Sequence, residues 1–202
     1  MTRLLRILPP CLPGVIGGAW LLVALGCAST GNHSASGEDR LIAQLASSDP
    51  ETVVDALRDL PGRYPQSTNA VAAIRPFLQD PRYRRHAARA LGDYHAELPL
   101  DDVRLILGLL GSHDSNDVTD GLKALRGLRE PTPVVDLMVQ QMIPLLKDPN
   151  NHIVRDTCRT LAVHGNPEVI PYIEPLLQRP RWDVKKDAQD AIDALRPHPV
   201  ER

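Results

Sequence analysis

Three cysteines and seven histidines are the most reactive side chains of this 202-residue sequence, and their spacing limits what they can do. Histidines at 33, 86, 95, 113, 152, 164 and 198 form no H-x₃-H pair and no HExxH run, the patterns that place two ligands on one helix face. No CxxC or Cys/His cluster supplies a zinc set. G-x-S-x-G, the P-loop and the dinucleotide fingerprint are absent too. The sequence thus predicts no catalytic residue, no metal, no cofactor and no small-molecule substrate. Cys11 and Cys27 lie in an apolar N-terminal stretch, so Cys158 is the body's single thiol and cannot form an intramolecular disulfide.

Cys27 is the cysteine whose surroundings point to covalent chemistry. Arg3 and Arg6 give a basic start, and residues 7–26 carry no charge. That is the layout of an export signal. Pro9, Pro10, Pro13, Gly14, Gly17 and Gly18 leave a clean helical core of roughly ten residues, short of the ~20 needed to span a bilayer. The run Val23-Ala24-Leu25-Gly26-Cys27 resembles the bacterial lipoprotein signal, or lipobox, in which small and apolar residues precede an invariant cysteine. The commonest form has Leu three places before that cysteine; here Ala24 stands there. The resemblance implies cleavage before Cys27, diacylation of its sulfur and acylation of its new amino group. An ordinary cleavage site releasing a secreted protein, and an uncleaved signal anchor, are the alternatives. Residues 27–40 are rich in Ser, Gly and Ala without hydrophobic periodicity, a tether whose root-mean-square span is about 20 Å. Ala28 follows the cysteine in place of the Asp that marks inner-membrane retention in such lipoproteins, so the resemblance implies the outer membrane where there are two.

What such a tether would hold is read from periodicity. Aromatic residues are only 3% of the chain while Leu and Ala abound, which favours helices over strands. Apolar segments LIAQL, IRPFL, ILGLL, MIPLL and IEPLL recur, each followed by a turn. The turns start at Asp49, Asp80, Asp114, Asp148 and, degenerately, Arg179, with spacings of 31, 34, 34 and 31 residues. An Asp side chain accepts bonds from the free N–H groups of a first helical turn, and Pro at the first position loses no needed donor. Second helices then follow with period 3.6: Val53, Val54, Leu57 and Leu60; Ala87, Ala88 and Leu91; Val118, Leu122 and Leu125; Val154, Cys158 and Leu161. Cys158 falls in register with Ala88, a small packed position, and reads as an inert buried thiol. Pro61-Gly62, Pro99, Pro131, Pro133 and Gly165-Asn166-Pro167 are expected to end the units.

Helix pairs at this period make an α-solenoid. DPRYRRHAARALGDY (80–94) and HIVRDTCRTLAVHGNPEVIPYIEPLL (152–177) resemble HEAT-like repeats of the type named after phycobilisome lyases. The expected fold is therefore all-α: a short right-handed α-solenoid of about five HEAT-like helix pairs. The expected domains are a signal peptide (1–26), a lipidated N-terminus and linker (27–40), the repeat domain (41–197) and a tail (198–202). The resemblance implies that Arg85 and Arg155, with Lys186 in the same register, bond acidic residues of neighbouring units. It implies no di-iron site, because the His-Glu pairs of the HEAT-repeat enzyme deoxyhypusine hydroxylase are missing.

A second basic register, Arg58, Arg89, Lys123 and Arg159, recurs two places before the key Leu and is broken by Asp190. It is either a partner-binding row, fit for acidic groups, or a solvated face neutralised by Asp55, Asp59, Asp120 and Asp156. A formal net charge of −2, falling to about −4 when Arg3 and Arg6 leave with the signal, argues against nucleic acid and against unaided binding to an anionic bilayer. The sequence therefore predicts a lipid-anchored protein-interaction module of the cell envelope, not an enzyme. A HEAT-type enzyme or accessory, and a purely structural spacer, are the alternatives. Fold alone does not choose among them.

Overall fold

The computed structural model describes residues 36–129 and 135–196. The chain divides into units Met1–His33 and Ser34–Arg202, and the described residues all belong to the second. Cys27, the signal and most of the linker lie outside the described residues. The last four linker positions, 37–40, are instead the first turn of a helix. Ser36 and Asp39 form a reciprocal capping box there, which starts the helix four residues earlier than the apolar pattern indicates.

Five helix pairs follow in order: α1 (Gly37–Gln44) with α2 (Pro50–Arg63), α3 (Thr68–Ile74) with α4 (Arg84–Asp93), α5 (Leu100–Leu107) with α6 (Ser115–Gly127), α7 (Val135–Met142) with α8 (Asn151–His164), and α9 (Ile170–Ile173) with α10 (Trp182–Leu195). No strand occurs among the described residues. The second helices pack in sequence, α2 on α4, α4 on α6, α6 on α8 and α8 on α10, so the array is a short α-solenoid.

In units two to five the first helix tightens into a 3₁₀ turn: Arg75–Leu78, Gly108–Gly111, Ile143–Lys147 and Glu174–Gln178. The cause is visible in the repeat. Pro76, Gly108, Pro144 and Pro175 stand at one register, where a missing N–H or a missing side chain weakens the α ladder. LIAQL has no such residue, and α1 ends without a 3₁₀ turn.

The turns differ from unit to unit. Asp49 caps α2 through Glu51 N and Thr52 N, and Asp114 caps α6 through Asn116 N. Asp80 bonds Arg82 N, but three turn residues intervene before α4. Asp148 is not the cap of α8. It accepts from Asn150 N, and Asn150 in turn caps the helix through His152 N. Counted from Asn150, Leu161 regains the eleven-residue spacing of Asp49 to Leu60.

The core runs through the array as Leu57, Leu60, Leu91, Leu122, Leu125 and Leu161, all fully buried, with Cys158 among them. Each such leucine contributes roughly 1.5–3 kcal/mol by leaving water. Pro61 does not end α2, which runs on to Arg63. Pro61 sits in the last turns, where Tyr64 N still reaches Leu60 O at 2.9 Å. Unit two ends at Asp93, six residues before Pro99, by a Schellman closure: Ala96 N bonds Leu91 O and His95 N bonds Gly92 O. His95 holds the left-handed position at φ 51°, where glycine is usual.

Candidate interaction surface

The second helices carry the basic register, and their packing decides what becomes of it. Arg155 on α8 reaches Asp187 at 2.7 Å and Asp183 at 3.1 Å, both on α10. Arg159, one turn on, meets Asp187 at 3.1 Å and Asp156 at 3.6 Å. Arg181 closes the cluster on Asp183 at 2.9 Å, and Arg126 from α6 lies 3.4 Å from Asp156. Asp156, Asp183 and Asp187 are buried, so three carboxylates are taken from water only where guanidinium groups face them. The Arg181 hydrogen bond is the main reason that the Asp183 carboxyl is held below its ordinary range. Arg159 is thus structural; its charge is spent between units four and five.

The other end of the row is different. Among the described residues Arg58 bonds Asp55 alone, at 3.1 Å, and both side chains are 68% exposed. Arg89 bonds Asp93 at 3.1 Å on its own helix. Such surface pairs hold their charges weakly. Lys123 on α6 is half-buried and has no ion-pair partner among the described residues. Arg85 lies 4.0 Å from Asp117 of the next unit, and its Nε donates to His86 Nε2 at 3.3 Å. Lys186 pairs within its own helix, with Asp190.

Five places before Leu60, Leu125, Leu161 and Ile192 runs an acidic register, Asp55, Asp120, Asp156 and Asp187, with His86 before Leu91 as its exception in unit two. The replacement removes a carboxylate where Arg58, Arg85 and Arg89 converge. A cleft of about 310 Å³ opens there, lined by Leu57, Arg58, His86, Arg89, Asp93 and Asp120. Burial first, then the neighbouring Arg85, lowers the pKa of His86, so the imidazole is neutral at pH 7 and its Nε2 accepts a hydrogen bond from Arg85 Nε–H. The cleft sets two weakly held guanidinium groups, Arg58 and Arg89, beside two carboxylates, Asp93 and Asp120, and holds no nucleophile–base pair.

The sequence pattern did not single out Asp183, Asp187, Arg126 or Arg181, although the acidic register was there to be read. It also missed two histidines that join units. His95 Nδ1 lies 2.8 Å from Gly127 O, and His164 Nε2 lies 2.8 Å from Leu125 O. Nothing in their local spacing marks them, because their acceptors are backbone carbonyls about a repeat away. No group of three metal-ligating side chains occurs among the described residues, and none of their helices is long and apolar enough to cross a membrane.

No protein-family model and no curated protein sequence matches the chain. Solved structures do match. The complex of CpcE and CpcF of phycocyanin lyase from Nostoc sp. PCC7120 aligns with a TM-score of 0.61 at 24% identity, over 81% of this chain and 66% of that one. An engineered protein aligns at 0.60 and 21% identity, covering 78% of each chain. A computationally designed armadillo repeat protein for modular peptide recognition aligns at 0.58 and 16%, over 79% of this chain and 82% of its own. These likenesses show the fold, a HEAT/armadillo-like helical repeat.

Proposed function

We propose that the chain is a non-enzymatic binding module, tethered to a membrane through acylated Cys27, that receives an acidic segment of a protein partner in the cleft between α2, α4 and α6. The observation that carries it is the His86 exception. Where unit five offers Asp187 to Arg159, unit two offers Arg58 a histidine, and Arg58 keeps one exposed partner, Asp55; Arg89 pairs with exposed Asp93, and Lys123 has no ion-pair partner among the described residues. The basic row is thereby narrowed to Arg58, Arg89 and Lys123. Two neighbours of the fold support a polypeptide ligand: one was solved as a complex of CpcE with CpcF, the other designed for peptide recognition. The lipobox-like run supports the anchor, and Ala28 after it favours the outer membrane where the host has two.

Co-purification from detergent-solubilised membranes identifies the partner. Reversal of Arg58, Arg89 and Lys123 to Glu is expected to dissociate that complex, and rising salt to weaken the wild-type complex. An affinity unmoved by the triple reversal would refute the cleft as the docking site. Labelled palmitate is expected in the wild type and not in Cys27→Ala; equal labelling sinks the anchor.

A further inference from the structure

Trp182 is the most exposed large apolar side chain among the described residues, with 75% of its surface in solvent at the first turn of α10. The helix buries Val184, Ala188, Ala191, Ile192 and Leu195 on one face. Trp182 stands on the other, with exposed Lys185 and Lys186 three and four residues on. Residues 179–186 read RPRWDVKK, four basic residues and one acid, within a chain whose net charge is −2. The single acid is turned inward: Asp183 is buried against Arg155 and Arg181. Lys185 has no ion-pair partner among the described residues, and Lys186 has only the exposed Asp190. Arg179 reaches Leu146 O and Asn151 Oδ1, both at 3.4 Å, which brings the preceding turn and its exposed Lys147 alongside. Farther along α10 the open face carries Asp190 and Asp193, paired with Lys186 and Arg196, so the positive charge left without an acidic partner among the described residues lies at the tryptophan end.

We propose that this edge is a membrane-contact surface, with Trp182 entering the interfacial layer of an anionic bilayer and Lys147, Lys185 and Lys186 set against lipid headgroups. An indole ring is stable at that depth, its ring apolar and its N–H wet. Each lysine near an anionic leaflet adds attraction. A protein partner would bury Trp182 in a dry contact whose centre is depleted of charge. Here the indole is ringed by cations, which is the composition of an interfacial segment. The inference rests on the tether reading in one respect. A contact too weak to hold a free acidic protein becomes an intramolecular step once a lipid at Cys27 holds the body through a linker of residues 27–36, whose root-mean-square span is about 17 Å.

A chain of residues 27–202 has one tryptophan, Trp182, and two thiols, Cys27 and the buried Cys158. The unit Ser34–Arg202 contains the entire core of the described residues and is expected to fold without the signal. Coupling Cys27 to a maleimide lipid fixes the tether chemically, whether or not cells acylate it. In vesicles containing phosphatidylglycerol, Trp182 emission is expected to move to shorter wavelength and to be quenched by brominated lipid. Both effects disappear in pure phosphatidylcholine or high salt. Lys185→Gln and Lys186→Gln are each expected to lower the contact equilibrium roughly fivefold. Emission unmoved by anionic vesicles, or a shift indifferent to headgroup charge and to both lysines, overturns the proposal. A normal shift alongside failed acylation in cells would sink the anchor reading and sustain this one.

Discussion

The imidazole Nδ1 of His95 lies 2.8 Å from the carbonyl oxygen of Gly127, so one ring ties the end of α4 to the end of α6. From the other side His164 Nε2 reaches Leu125 O, also at 2.8 Å. Carbonyls in the last turn of α6 are thus bonded by both neighbouring units, and Leu125 O accepts from Leu128 N at 3.3 Å as well.

His95 bears a left-handed backbone and makes an inter-unit bond, and two substitutions separate these. His95→Ala keeps the strained φ of 51° and loses the bond, costing about 1 kcal/mol. His95→Gly loses the same bond and relieves the strain, leaving stability near wild type. Urea denaturation measures both, and equal losses would show that the backbone position is not strained.

The helices α4 and α6 approach most closely at Gly92 and Gly127. A Cβ on Gly92 would stand 2.6 Å from Ala124 Cα, and one on Gly127 would stand 2.2 Å from Gly92 O. Gly92→Ala is expected to destabilise by at least ~1–3 kcal/mol, since backbone cannot yield as a side chain can. Gly62 lies in α2 with open space around it, and Gly62→Ala is expected to stabilise by up to about 1 kcal/mol.

Arg155 and Arg58 are both arginines on second helices, and their loss should differ sharply. Arg155→Ala uncovers two buried carboxylates, Asp183 and Asp187, and is expected to lower Tm by several degrees. Arg58→Ala breaks an exposed pair and should leave Tm unchanged. Thermal denaturation followed by circular dichroism compares the two.

The pKa of His86 is lowered by burial and by Arg85, so the unfolded chain binds a proton in a range where the folded one does not. Stability therefore falls as pH drops through the ordinary histidine value near 6.5 and levels off below the folded-state pKa. His86→Gln should remove that part of the slope, as the difference between the two pH–stability curves. Identical curves would show that His86 takes up its proton equally in both states.

Cys158 is fully buried, and burial pushes its thiol up to about 12. In native protein beginning at residue 27, a thiol reagent is expected to modify Cys27 alone. Cys158 should react only once denaturant opens the core.

The helical period, the turn chemistry and the core were legible along the chain because each is local. Asp49 caps its own helix, and Leu57 and Leu60 share a face at any packing angle. The register Arg58, Arg89, Lys123 and Arg159 was legible as well, but its meaning was not. Whether a guanidinium is free depends on carboxylates from the next unit, about thirty residues away. Arg159 finds Asp187 there; among the described residues Arg58 finds only Asp55, on its own helix.

By itself the sequence determined an all-helical repeat with one packed thiol and no motif for catalysis. Caps, breakers and hydrophobic period act within a few residues and do not depend on the rest of the fold. Tertiary structure alone decided which charges cancel, where α4 and α6 touch, and that Asp183 turns inward while Trp182 stays in solvent. Those outcomes depend on distances between units, which the stacking of helices sets and no local pattern encodes.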